Sequence, residues 1–143
     1  MMKGARTVWA LTLLATLPFA GAAWVMLAVG GVYVGPALLA LLSWSAVTLS
    51  FLAGTRWGAA VTAPDPDGLM LTAAWLPAFA AWGLLAAPIA DVRLQLGGFI
   101  VVFAAVLVWE IRALGPPGLA QRLTLVVAAL LALAVGLAIM VML

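Results

Sequence analysis

The sequence predicts an all-α fold, a polytopic bundle of five transmembrane helices with the N-terminus in the cytoplasm and the C-terminus outside. Three observations lead there. Between Arg6 and Arg56 the chain runs 49 residues without one charged side chain. A charge at the centre of a membrane helix costs about 2.5–3.5 kcal/mol on insertion scales, so an uncharged run of this length reads as two spans and a turn. Further apolar stretches fill most of the chain beyond Arg56, leaving the whole 69% hydrophobic and only 7% charged. Soluble domains carry about 25% charged residues, so a water-soluble reading is excluded. Lastly, the basic residues sort strongly to one side. N-in topology puts Lys3, Arg6, Arg56, Arg112 and Arg122 inside and only Arg93 outside, as the positive-inside rule requires.

The first expected span covers residues 7–29. Its start imitates a signal peptide, with Lys3 and Arg6 before an apolar run, but that run continues past Ala20 to Val34 and reads as a membrane helix. Pro18 lies inside it and predicts a kink. Gly30-Gly31 and Gly35-Pro36 mark a tight turn before the second span, 36–57. The loop Ala63-Pro64-Asp65-Pro66-Asp67-Gly68 is the most polar stretch and separates two hairpins. The third span, 69–87, contains a second kink site at Pro77 and ends at Pro88. After a short connection holding Asp91 and Arg93 comes the fourth span, 94–109. Glu110 to Arg122, with Gly115-Pro116-Pro117-Gly118, reads as a rigid loop, and the fifth span is 123–143. At roughly 20 residues a span, little remains for anything outside the bilayer. Residues 1–143 are thus expected to form one integral membrane domain. Leu17-Pro18-Phe19 and Leu76-Pro77-Ala78-Phe79, each followed by a tryptophan (Trp24, Trp82), form a faint internal echo; chance in an Ala/Leu-rich chain explains it equally well.

Composition removes much chemistry. Cysteine and histidine are absent, which excludes disulfides, thiolate nucleophiles, iron–sulfur clusters, Cys/His zinc sites and imidazole-held haem. No catalytic, cofactor-binding or metal-binding residue is expected. Asp65, Asp67, Asp91 and Glu110 form no paired acid–base motif, so an enzyme acting on lipids ranks last. Six basic residues flanking spans are no nucleic-acid footprint.

Two features of the second span stand out. Ala46, Ser50, Gly54 and Gly58 recur every four residues and include a GxxxG pair. Such a ridge lets another helix approach closely, and the reading is internal helix packing in preference to a ligand groove. Ser43, Ser45, Thr48 and Thr55 beside it can bond across helices or to their own carbonyls. Arg56 is the most conspicuous ionisable residue. It is either an interfacial anchor beside Trp57 or the partner of Glu110, which the topology places at the same boundary. The seven tryptophans lie mostly near span ends; Trp44 and Trp82 fall deeper and call for internal hydrogen-bond partners.

The stretch Ser45-Ala46-Val47-Thr48-Leu49-Ser50-Phe51-Leu52-Ala53-Gly54-Thr55-Arg56-Trp57-Gly58 resembles the core motif of the DUF3429 family, which includes a mitochondrial transmembrane protein. Leu17-Pro18-Phe19, Leu76-Pro77 to Trp82, and Arg122-Leu123-Thr124 are similar to further family motifs, in order, over most of the chain. Arg56 stands where the family usually has histidine, and Glu110 where it has an acidic residue. The resemblance implies a multi-pass protein of a bacterial inner membrane or a mitochondrion and names no activity. The first expectation is a non-catalytic accessory subunit or assembly factor of a larger membrane complex, of energy-transducing type. Its partners would be membrane lipids and other integral membrane proteins. The alternative is a small transporter or channel, acting as a homo-oligomer, suggested by the prolines in the first and third spans.

Overall fold

A computed structural model describes residues 3–113 and 118–143, apart from the Lys3 side chain; Gly115, Pro116 and Pro117 of the expected rigid loop lie outside the described residues. Helix α1 (Lys3–Trp24) continues into one π-helical turn (Val25–Val29), and a 3-10 turn (Gly31–Tyr33) leads into α2 (Val34–Val61). Then come α3 (Gly68–Ala74), α4 (Leu76–Ala86), α5 (Val92–Arg112) and α6 (Leu119–Met142). The five membrane-length apolar segments are Gly4–Val29, Gly31–Val61, Gly68–Ala86, Val92–Arg112 and Leu119–Met142. The chain is thus a multi-pass helical bundle, since in lipid only intra-segment hydrogen bonding satisfies the backbone of each crossing.

Local chemistry sets the joints. Gly30 and Gly31 adopt φ of 64° and 60°, the left-handed region where an L side chain is strained, and this reverses the chain between the first two spans. Asp67 and Asp91 cap the helices that follow them, accepting from Leu69 N and Arg93 N at 3.0 Å each. Asp91 also grips the Arg93 guanidinium at 3.1 Å. That hydrogen bond holds its carboxyl below the ordinary 3.8.

The prolines act differently. Helix α1 runs through Pro18 without interruption, and its departure from α geometry comes only after Trp24. The third span is disturbed at one residue: α3 stops at Ala74 and α4 restarts at Leu76, with Pro77 in its first turn, while Trp75 between them stays near helical angles at φ −80° and ψ −19°. Pro77 has no N–H for the Ala73 carbonyl, and its ring crowds that carbonyl. Trp75 N turns instead to Thr72 O at 3.2 Å.

Helix α2 is the axis of the bundle. It touches α1, α3, α4, α5 and α6, and half of its most apolar window is buried, against 17–33% for the other spans. The core gathers Leu41, Leu49, Leu96, Phe99, Phe103 and Leu133, each fully enclosed. Hydroxyls do little of the joining. Ser43, Ser45, Ser50, Thr55, Thr62, Thr12 and Thr124 all donate to carbonyls three or four residues back in their own helices. Outside the charged residues, cross-helix bonds come from an indole and an amide: Trp44 Nε1 donates to Ala15 O at 2.8 Å, and Gln95 Nε2 to Leu84 O at 3.0 Å. Trp82 is not deep in the bundle; it is 69% exposed on the outer face.

The small-residue ridge is where the structure corrects the sequence reading. Ala46 packs against the core, but Ser50 and Gly54 are exposed and Gly58 is only half-buried. A Cβ placed on Gly54 or Gly58 meets nothing within 4 Å. Helix α2 turns inward instead through Leu38, Leu41, Leu42, Ser45, Leu49, Leu52 and Arg56, at three- and four-residue spacing. Large leucines bury more apolar area than glycines can, and they take the core face. Glycines that do meet a neighbouring helix lie elsewhere: a Cβ on Gly98 of α5 would run into the Leu84 side chain of α4, and one on Gly136 of α6 would lie 3.3 Å from Leu41 and 3.5 Å from Leu38 and Leu96.

Candidate functional site

The residues that converge are Arg56, Glu110 and Arg122, at one end of the bundle. Arg56 projects from α2 one and a half turns before its C-terminus at Val61, about 7 Å inside the helix end at 1.5 Å per residue. Glu110 lies near the end of α5 and Arg122 in the first turn of α6. Arg122 is positioned by Gly118, the residue before α6, whose φ of 83° turns the chain into the helix. Arg122 N then donates to Gly118 O at 3.0 Å.

Glu110 is the hub. Its Oε1 accepts from Arg56 Nε at 3.2 Å, and its Oε2 accepts from Arg122 Nε at 3.0 Å. The same Oε2 lies 2.9 Å from Arg122 Nη2 and 3.1 Å from Arg56 Nη2. The last contact is an ion pair by distance, but its N–H direction makes no hydrogen bond, and Arg56 Nη2 is buried without one. Trp109 closes the other side of the cluster, with the Arg56 guanidinium carbon 4.3 Å from its ring centroid, a cation–π contact that replaces lost hydration. Burial is nearly complete: Arg56 is 6% exposed, Arg122 4% and Glu110 1%.

Such a cluster needs arginine. A planar guanidinium reaches both oxygens of a carboxylate and stacks on an indole, which a lysine ammonium does not. Ions sequestered this way lose several kcal/mol of hydration each, and only close geometry offsets the loss. The three charges sum to +1. Of the three remaining acidic residues, Asp65 and Asp67 sit in the α2–α3 loop, and Asp91 pairs with Arg93 at the start of α5.

Of the two sequence readings of Arg56, the structure places it in the ion pair. What the sequence reading missed is the place of Arg122 in the cluster; the sequence marks it as a charge flanking the last span and as the start of the Arg122-Leu123-Thr124 motif. The signal was present, since Arg122 opens a helix at the same end as Arg56 and Glu110. Both Glu110 oxygens are engaged by guanidiniums, so this carboxylate is poorly placed to hold a metal. Among the described residues no three His, Cys, Asp or Glu side chains converge. Nearby, with its amide turned to satisfy both neighbours, Gln121 accepts from Trp9 Nε1 at 3.1 Å and donates to Gly118 O at 3.2 Å. This pins the start of α1 to the start of α6.

A second constellation lies on the outer side of α2. Ser50, Ala53, Gly54 and Trp57 face Ala74, Trp75 and Ala78 across a groove of about 140 Å³, where the third span is disturbed. Trp57 meets Trp75 edge-on at 5.9 Å between centroids, and Trp75 meets Phe79 at 5.8 Å. Gly54, predicted to be packed inside, therefore lines an open slot beside two indoles. Comparison of the chain with protein-family models, with curated proteins and with solved structures gives no match.

Proposed function

We propose that this chain is a non-catalytic accessory subunit or assembly factor of a larger membrane complex. The observation that carries this reading is the uncovered Ser50–Gly54–Gly58 face of α2. It has the small-residue spacing that transmembrane helices use for close approach, yet a Cβ on Gly54 or Gly58 meets nothing within 4 Å, and the third span faces Ser50 and Gly54 only across an open groove. A partner's transmembrane helix is the occupant of matching chemistry. The buried cluster supports the same reading, because a carboxylate held by two guanidiniums ties α2, α5 and α6 together as a structural element. The resemblance to the DUF3429 family favours a bacterial inner membrane, an N-in, C-out orientation fits the basic residues, and an energy-transducing complex is the proposed setting.

The test is purification from the native membrane with mass spectrometry of stoichiometric companions, repeated with Gly54→Leu. The substitution meets no internal neighbour, so the variant should fold and lose the companion. A companion retained unchanged by Gly54→Leu, or no stoichiometric companion for the parent protein, would sink the proposal. The third span, disturbed at Trp75, supports a second reading, a small transporter, since interrupted helices line substrate sites in that class. No carboxylate stands at mid-membrane to couple an ion, which ranks it second.

A further inference from the structure

A long groove of about 620 Å³ runs between α1 and α6 on the bundle's outer surface, and its lining is almost wholly apolar. Along α1 it extends from Leu13 to Ala23, and along α6 from Leu123 to Val135. At 1.5 Å per residue those stretches measure about 15 and 18 Å, close to the ~15 Å hydrocarbon depth of one bilayer leaflet. The groove begins one turn above the Trp9–Gln121 contact, at the end of the molecule that carries the buried cluster.

Charge marks that end. Arg6, Trp9, Leu13, Thr16, Ala20 and Ala23 follow one another at three- and four-residue spacing, so exposed Arg6 stands at the foot of the same stripe that lines the groove. Beside it the Arg56–Glu110–Arg122 cluster contributes a net +1. The carboxylates that could balance this charge are not on α1 or α6: Asp65 and Asp67 share that end of the bundle but precede α3, which touches neither α1 nor α6, and Asp91 is paired at the start of α5.

We infer that this groove is a binding site for one anionic phospholipid. One acyl chain lies along α1 and α6, and the phosphate faces Arg6 in the field of the cluster. The length of the groove selects an acyl chain, and the cationic foot selects a negative headgroup over a zwitterionic one. An interfacial arginine favours anionic lipid by roughly 1 kcal/mol, or about fivefold.

The experiment uses the full chain in maltoside micelles. Retention of palmitoyl-oleoyl phosphatidylglycerol and of the matching phosphatidylcholine is read by native mass spectrometry, with inorganic phosphate as a competitor. The expected result is one phosphatidylglycerol per chain, preferred over phosphatidylcholine by about fivefold or more. Arg6→Gln should erase the preference while leaving the lipid-free melting temperature in place, because Arg6 is exposed. Ala20→Leu, which fills the groove from an exposed position, should weaken retention of both lipids. Equal retention of the two lipids by the parent protein, displacement by millimolar inorganic phosphate, or undiminished retention by Ala20→Leu would each overturn the assignment.

Discussion

Glu110 is the shared counter-ion of two buried guanidiniums, and this asymmetry gives an ordered set of mutational costs. Removing one member of a buried ion pair costs about 3–5 kcal/mol, because the survivor is left charged and unpaired. Glu110→Ala strands Arg56 and Arg122 side by side and belongs at the top of that range. Arg56→Ala leaves Glu110 still held by both Arg122 contacts at 2.9 and 3.0 Å, so only a charged hydrogen bond and a stacking contact are lost, at about 1.5–3 kcal/mol. Once Glu110 is gone, removing Arg56 relieves repulsion, and the double variant should cost less than the sum of the singles by at least about 1.5 kcal/mol. The assay is equilibrium unfolding in mixed micelles titrated with a denaturing detergent, followed by tryptophan fluorescence, to which Trp109 against Arg56 contributes. Replacing all three residues by Met, Leu and Met should be neutral or stabilising, as apolar substitutes of similar volume can be for buried ion clusters. Singles that add within about 0.5 kcal/mol would refute the coupling. So would Arg56→Ala costing as much as Glu110→Ala.

Packing, pH and topology each offer a further check. Gly136→Leu should destabilise by about 1–3 kcal/mol or more through overpacking against Leu38, Leu41 and Leu96; Gly54→Leu, facing open space, should cost nothing measurable in the same unfolding assay. Asp91→Asn should keep the cap but flatten the acid limb of stability: the native carboxyl is depressed, so its contribution is full above its ordinary 3.8 and fades as pH falls through the lowered value, which a pH series of melting temperatures would read. A reporter fused after Leu143 should be active only outside the cytoplasm, and cytoplasmic activity would reverse the proposed orientation.

The five crossings were legible because an uncharged run of bilayer length has few alternatives, and Pro77 foretold an interruption in the third. Which face of α2 points inward was not legible. That helix is apolar all round, with Phe51 and Val47 exposed and Leu49 and Leu52 buried, so no polar contrast marks the core side. Four-residue spacing among Ala46, Ser50, Gly54 and Gly58 defined a stripe but not its direction. The Arg56–Glu110 contact could be anticipated because topology brings both to one boundary. Arg122 could not be ranked, since a basic residue at a span end is the ordinary pattern, and its inward direction comes from sharing the buried face of α6 with Leu125, Val126 and Ala129.

The wide separation of the cluster's members along the chain has a consequence for biogenesis. Arg56 enters the membrane with the second helix, yet its counter-ion lies 54 residues later. At 5–20 residues per second, about 3–11 s of synthesis pass before Glu110 exists, and the chain must lengthen further before Arg122 arrives. During that interval Arg56 has no carboxylate to meet and its long stem lets it reach the headgroups, which holds the second helix shallow. Arrival of the last two helices then draws the arginine inward and seats α2 at its final depth. The cluster therefore closes only when the last helix is in place, and a nascent chain stopped before Glu110 keeps Arg56 unpaired at the headgroups.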